Sequence, residues 1–373
     1  MALSPNYEWA EPDNSSLVKN GAQDIRALGD AIDTSLWNVG FGQAGKNKLI
    51  NGDFNINQRS FTSSTTDGAY GFDRWLMESL SGATYSAQTF TAGAAPVAGY
   101  ESKNFARIVT TGQSGAGVYT LLEQKIEDVR TFANQPVTVS LWAKAASAGA
   151  KIGLELSQSF GSGGSAQVNT ALGAVTLTTS WARYSLSVTV PSISGKTIGT
   201  ADSLTLGLWT SAGTTFATRA SSIGIQTATI DMWGVQVEYG SKATPFETAT
   251  GTLGGELALC QRYYYRVPGE FETTVAPSGS SICVLVPLPV TMRVVPSAST
   301  NVSNASYSTS PSTNQWGLVQ AQISWSTKSG TVTVTLVSTQ TTGTLQLGAA
   351  TFSPVPNSIK IVPDRILEFN AEL

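Results

Sequence analysis

Between Lys48 and about Thr250, apolar and polar positions alternate with a period of two. Val137, Val139 and Leu141 interleave with Thr138, Ser140 and Trp142; Leu186, Val188 and Val190 with Ser185, Ser187 and Thr189; Leu204, Leu206 and Leu208 with Thr205, Gly207 and Trp209. Ile152, Leu154 and Leu156 repeat the pattern. Successive side chains of a strand point to opposite faces, so each run predicts a strand with one buried face. Gly/Ser stretches such as Gly161-Ser162-Gly163-Gly164-Ser165 lie between the runs, as antiparallel connections require. A two-sheet jelly roll over residues 47–250 is the economical architecture.

The period changes at both ends. Within residues 1–46, Pro12-Asp13-Asn14-Ser15-Ser16 supplies turn and N-cap residues, and Val18, Ala22, Ile25, Leu28, Ile32 and Leu36 then recur at helical spacing until Gly40 and Gly42. A helix of roughly 20 residues is marginal alone in water, so its apolar stripe predicts docking, on its own domain or on another subunit. After the sandwich, Gly251-Thr252-Leu253-Gly254-Gly255 reads as a flexible boundary. A second β-sandwich is expected over 251–373. It opens with ELALCQRYYYR at Glu256–Arg266 and continues through Ile282–Val290, Trp316–Trp325, Thr331–Val337 and Thr344–Phe352. It closes with RILEFNAEL at Arg365–Leu373. Tyr263, Tyr264 and Tyr265 put aromatics on both faces of their strand, so at least one should meet a domain or subunit interface. The fold class is therefore all-β: two jelly-roll-like sandwiches behind a short N-terminal helical segment.

Composition narrows the function. Three hundred and seventy-three residues exceed one comfortable core. A net charge of −3 with no Lys/Arg cluster argues against a surface that neutralises phosphates, and nucleic acid is not an expected partner. Neither a signal-like N-terminus nor a run of ~18 apolar residues is present, so cytoplasmic synthesis without membrane insertion is expected. Cys260 and Cys283 are expected to be buried thiols rather than a disulfide.

Two strings are distinctive. NKLINGDFNINQR at Asn47–Arg59 begins an apolar strand at Leu49-Ile50, carries a turn or bulge signal at Asn51-Gly52-Asp53 and alternates Phe54 and Ile56 with Asn55 and Asn57. IDMWGVQVEYGSKATPFE at Ile230–Glu247 forms its closing counterpart. The pair resembles the opening and closing strands of carbohydrate-binding-module-like jelly rolls carried by tailed-bacteriophage fibre and virion structural proteins. The CQRYY string, followed by LPVTMRVVPS, resembles the distal sandwich of such fibres. The resemblance implies a virion protein, either a tail fibre or receptor-binding subunit or a capsid or neck fibre. It also implies attachment to other virion proteins through residues 1–46, with Val18, Ile25, Leu28, Ile32 and Leu36 as the anchoring or oligomerisation stripe, self-association as a homotrimer, and a host-surface polysaccharide as ligand. Jelly rolls of this resemblance often hold a structural Ca²⁺; the matching positions are Asn55 and Asp231, with Asp53 as a substitute because Asn55 brings a neutral amide where a carboxylate is usual.

No histidine is present, which removes a Ser-His-Asp triad, a Cys-His pair and histidine metal sites together. Catalysis would rest on facing carboxylates, with Asp73, Glu101, Glu123, Glu155, Asp231 and Glu238 as candidates. The expectation is a non-enzymatic protein that needs no cofactor, against a purely structural decoration protein and a carboxylate-dependent depolymerase. Trp142 and Trp209 sit on the parity opposite the aliphatic face of their strands, where they either form a glycan-stacking platform or pack under loops or against another subunit. Gln158, Arg183 and Gln226 are hydrogen-bonding helpers by position. Trp75, in GFDRW, and Trp233 read as core residues.

Overall fold

The computed structural model describes residues 2–3, 9–11, 20–41, 45–97, 100–266, 275–278, 281–294, 297–300, 319–323, 331–338 and 367–372. The pair β1 (Ala2–Leu3) and β2 (Ala10–Glu11) precedes α1 (Gly21–Phe41). Then come β3 (Ser63–Ser64), β4 (Ala69–Tyr70), β5 (Leu76–Ser79), β6 (Ala83–Thr89), β7 (Asn104–Thr110) and β8 (Tyr119–Glu127). Next are β9 (Pro136–Ala145), β10 (Lys151–Ser159), β11 (Val168–Thr176), β12 (Ala182–Thr189), β13 (Ser203–Ala212) and β14 (Ala228–Tyr239). These form two antiparallel sheets of six strands, ordered β11-β10-β13-β8-β5-β4 and β12-β9-β14-β7-β6-β3. We call them the β13 sheet and the β14 sheet. From β7 to β10 the chain crosses between sheets at every step, and it does so again from β11 to β14, which is jelly-roll connectivity.

The two-residue alternation explains the layers. Val137, Val139 and Leu141 of β9 face Ile152, Leu154 and Leu156 of β10 and Leu204, Leu206 and Leu208 of β13 in one core, and all are buried. Trp75 and Trp233 are fully buried, as their strings suggest.

The two distinctive strings do meet. Lys48 N donates to Val237 O at 3.0 Å, and Asn47 reaches both Val235 O and Glu247 O through its amide. Gly52 lies so close to the β14 backbone that a Cβ there would sit 2.2 Å from Val235 O, which is why only glycine fits. The opening string is nevertheless not a strand. Asn51 and Phe54 take left-handed backbone conformations, and the Asn51 side chain closes the turn by accepting from Ile56 N and donating to Ile56 O and Asp73 O. Side-chain capping of a tight turn outcompetes strand pairing here.

The expected flexible boundary is also ordered. Thr252 caps α2 (Leu253–Gln261) by accepting from Gly255 N, and the buried Glu256 carboxylate accepts from Asn51 N, Thr250 N and Thr250 Oγ1. A Thr N-cap ahead of Glu256 and an ELALC run was the helix signal, lying across a segment read as a linker and as the opening of a β domain. Beyond it lie β15 (Tyr264–Arg266), β16 (Val275–Ser278), β17 (Ser281–Pro287), β18 (Ser297–Thr300), β19 (Val319–Ile323), β20 (Thr331–Ser338) and β21 (Leu367–Asn370). They form sheets β15-β21-β18 and β16-β17-β20-β19. The strand expected at Thr344–Phe352 and the side chain of Cys283 lie outside the described residues; Cys260 is a buried free thiol.

Candidate functional site

On the β14 sheet, the side chains that point away from the core are set by register. Arg183 of β12, Trp142 of β9 and Trp233 of β14 stand in one row; Lys144 of β9, Asp231 of β14 and Arg107 of β7 stand in the next. A bulge between Trp233 and Gln236 breaks the β14 ladder, and Gly234 takes a positive φ of 62° there. One half of this face is roofed by the segment after β14. Phe246 packs on Trp233 with centroids 4.9 Å apart, and Thr244 binds the buried Glu238 through both its backbone N–H and its hydroxyl. Arg183 is consumed in this roof, donating to Ser140 Oγ and Thr244 O.

The other half is open. Trp142, Trp181 and Phe90 are each half-buried, with Trp181 5.6 Å from Phe90 and 5.4 Å from Phe105. The Trp142 indole N–H is buried and meets no acceptor among the described residues. Asp231 takes Arg107 Nε on one oxygen at 2.7 Å and Arg107 Nη2 on the other at 3.0 Å, with Lys144 Nζ at 3.7 Å. Lys144 lies 5.2 Å from the Trp181 ring centroid. Beyond the charged row, at the strand ends, a pocket of about 460 Å³ is lined by Val109–Thr111, Ala145–Ala150 and Gln226–Thr229.

The β13 sheet treats its outward tryptophan differently. Trp209 does project away from the main core, but the segment after β13 folds back over it, and the indole is 1% exposed among Leu121, Ala212, Ala220 and Ile223. Phe216 lies 5.5 Å from its ring. Arg219 holds Glu155 through Nε at 2.7 Å and Nη2 at 2.9 Å, and Trp209 Nε1 donates to the same carboxylate at 3.1 Å. Gly207 separates Glu155 from Glu123, which pair with it from either side. Burial and the neighbouring Glu78 push the Glu123 carboxyl up to about 7.

The sequence-derived platform is thus corrected. Trp142 and Arg183 are cross-strand neighbours and Gln226 lines the pocket, whereas Trp209 and Gln158 stand on the other sheet. Trp209 is unavailable to a sugar because its own loop covers it. Gln158 is buried, with its amide on Pro191 O, and Gln226 spends its amide on the backbone of Lys151 and Thr210. The calcium residues also part company. Asp53 and Asn55 bond one another, and Asp53 accepts from Tyr100 OH at 2.8 Å, while the Asp231 carboxylate is chelated by Arg107. Each of these oxygens accepts from a protein donor, and among the described residues no three His, Cys, Asp or Glu side chains gather in one place. Of the other acids, Asp73 is bound by Gln58 and Glu101 accepts from Gly93 N. Of the anchor stripe, Ile25 is 66% exposed and Leu28 and Ile32 half-buried; Val18 and the Leu36 side chain lie outside the described residues. Sequence reasoning missed Trp181, Phe90, Arg107 and Lys144. Their signal was the one that singled out Trp142: Lys144 shares its parity on β9, and Trp181 shares that of Arg183.

No family model matches the chain, and no curated protein matches it by sequence. Solved structures similar to it include the CBM22-1 xylan-binding domain of Paenibacillus barcinonensis Xyn10C, at 16% identity over 54% of this chain and 99% of that one, with a TM-score of 0.31. TmCBM61 in complex with β-1,4-galactotriose aligns at 11% identity over 52% of this chain and 99% of that one, TM-score 0.28. The enzymatically active domain of bacteriophage CBA120 tailspike protein 4 aligns at 11% identity over 52% of this chain but only 22% of that one, TM-score 0.30. Likeness at this level carries no functional argument.

Proposed function

We propose that this protein is a non-enzymatic virion fibre subunit that binds a host-surface glycan on the open half of the β14 sheet. The observation that carries the reading is the grouping of half-buried Trp142, Trp181 and Phe90 beside Arg107, Asp231 and Lys144 on one outward sheet face. Flat rings stack on the apolar faces of pyranoses while flanking charged groups meet their hydroxyls, which is the composition a sugar site needs. The virion setting is supported by the resemblance of Asn47–Arg59 and Ile230–Glu247 to phage fibre modules. Self-association, with a trimer favoured, and attachment to the particle are supported by α1, none of whose residues from Gly21 to Ile32 is buried. A hydrolytic reading would pair Glu123 with Glu155, which flank Gly207; that Arg219 and Trp209 donate to both Glu155 oxygens supports a structural role for that carboxylate instead.

Titrating the full-length protein against a panel of bacterial capsule and lipopolysaccharide glycans tests this. Trp142→Ala and Trp181→Ala should each weaken binding by roughly tenfold at most, with the thermal midpoint retained. Multivalent display masks such losses, so monovalent oligosaccharides belong in the panel. Unchanged isotherms in both variants, or new reducing ends that vanish on replacing Glu123 or Glu155, would overturn it.

A further inference from the structure

The charge balance around the open face is uneven. Arg107 and Lys144 share one carboxylate, Asp231, which leaves an excess positive charge on a chain of net charge −3. Arg107 spends Nε and Nη2 on Asp231, so its remaining Nη1 edge is the one turned to other partners.

The pocket begins where that row ends. Two residues along their strands from Arg107 and Asp231 lie Val109 and Thr229, on the same face and about 7 Å away; both line the pocket, as does Ala146, which follows the end of β9 and donates its N–H to Thr229 O at 2.9 Å. At about 460 Å³ it falls within the range of small-ligand sites, and its hydroxyl-bearing walls suit a polar ring. Trp181 lies beside Lys144 and places an aromatic surface next to the cation. A ligand that spans these features carries an anionic group on a saccharide ring.

We propose that this pocket and its cationic rim select acidic saccharides, with Arg107 and Lys144 taking the carboxylate of a uronic or sialic type of sugar while Trp181 takes a neighbouring ring. The inference rests on the glycan-binding reading of the same face and names its ligand class. A Lys or Arg beside a sugar carboxylate gives a charge-assisted contact that a neutral sugar cannot make.

The test compares each acid with its own uncharged form. The full-length protein is titrated with D-glucuronate, D-galacturonate and N-acetylneuraminate, each against its methyl ester, with inorganic phosphate as a bare anion. At least one acid should bind about fivefold more tightly than its ester, the scale of one half-exposed charge contact. Lys144→Gln should abolish that preference and leave the thermal midpoint in place. Acids and esters binding alike, or a preference that survives Lys144→Gln, would overturn the proposal, and phosphate competing as well as the sugar acid would remove its saccharide part. If neutral glycans still bind and Trp142→Ala still weakens them, only the acidic selectivity falls; if neither acids, esters nor polysaccharides bind, the glycan reading of the whole face falls with it.

Discussion

Arg74 and Glu372, 298 residues apart in sequence, form a buried ion pair in which the two side chains are 1% and 5% exposed. Arg74 also lies 3.5 Å from the Tyr263 ring centroid and donates to Lys125 O. Arg59 repeats the arrangement, reaching Glu372 at 3.2 Å and stacking 3.6 Å from Tyr264. GFDRW, CQRYYYR and the C-terminal strand are thereby drawn to one place on the jelly roll, and Arg293 fastens the strand end by donating to Ala371 O and Glu372 O.

Glu372→Gln leaves a guanidinium buried without its counter-charge. Breaking such a pair from one side costs about 3 kcal/mol, whereas removing both charges together costs less because nothing charged remains inside. Urea unfolding should show a loss of that order for Glu372→Gln and a clearly smaller one for the double variant Arg74→Met/Glu372→Leu. Equal losses would show that the pair does not hold the C-terminus.

Much of the sandwich was legible because burial on one face imposes a period of two, and the runs that showed it fall on β9, β10, β12 and β13. In the opening string the turn at Asn51-Gly52-Asp53 was legible, but the strand expected from Leu49-Ile50 does not form: Asn51 satisfies the backbone with its own side chain, a local bond that hydrophobic patterning does not register. The site was half legible. Parity placed Trp142 and Trp209 outward correctly, but which outward face is roofed depends on chain segments that return from elsewhere: residues after β13 over Trp209, and residues after β14 over Trp233.

Trp209 should therefore behave as a core residue. Trp209→Ala removes the centre of the cluster formed with Leu121, Ala220 and Ile223 and takes a donor from the buried Glu155. A loss of about 3–5 kcal/mol is expected by chemical denaturation, with glycan affinity unchanged at temperatures where the variant stays folded. Weaker binding at an undisturbed midpoint would return Trp209 to the ligand site.

Glu123 gives a pH signature opposite to that of a salt-bridged carboxylate. Its folded value is pushed up to about 7, first by burial and then by Glu78, from an ordinary 4.5. The folded state then holds the proton more tightly than the unfolded chain, so stability falls as pH rises from about 4.5 to 7 and is level above that. Asp73, pushed up to about 6 chiefly by burial, acts in the same direction. Glu123→Gln removes the buried charge and should raise the midpoint at pH 8 by on the order of 1 kcal/mol, read as ~2–4 °C. The gap over wild type should close toward pH 5; a gap independent of pH would mean that Glu123 titrates at its ordinary value.

Gly234 joins backbone conformation to the candidate site. Its φ of +62° is one that L side chains adopt at a cost, and a Cβ there would lie 3.1 Å from Trp142 Cδ1 and 3.6 Å from Phe246. Gly234→Ala therefore has two effects, backbone strain of ~1–2 kcal/mol and a displaced Trp142 ring. Gly224→Ala separates them, since Gly224 has a similar φ of +74° but nothing within 4 Å of its added Cβ. Both variants should lose comparable stability in urea unfolding, and only Gly234→Ala should lose glycan affinity, by several-fold. Equal affinity in the two would show that the seating of Trp142 against the β14 bulge does not matter to the ligand, and that the open face binds through Trp181 and its neighbours alone.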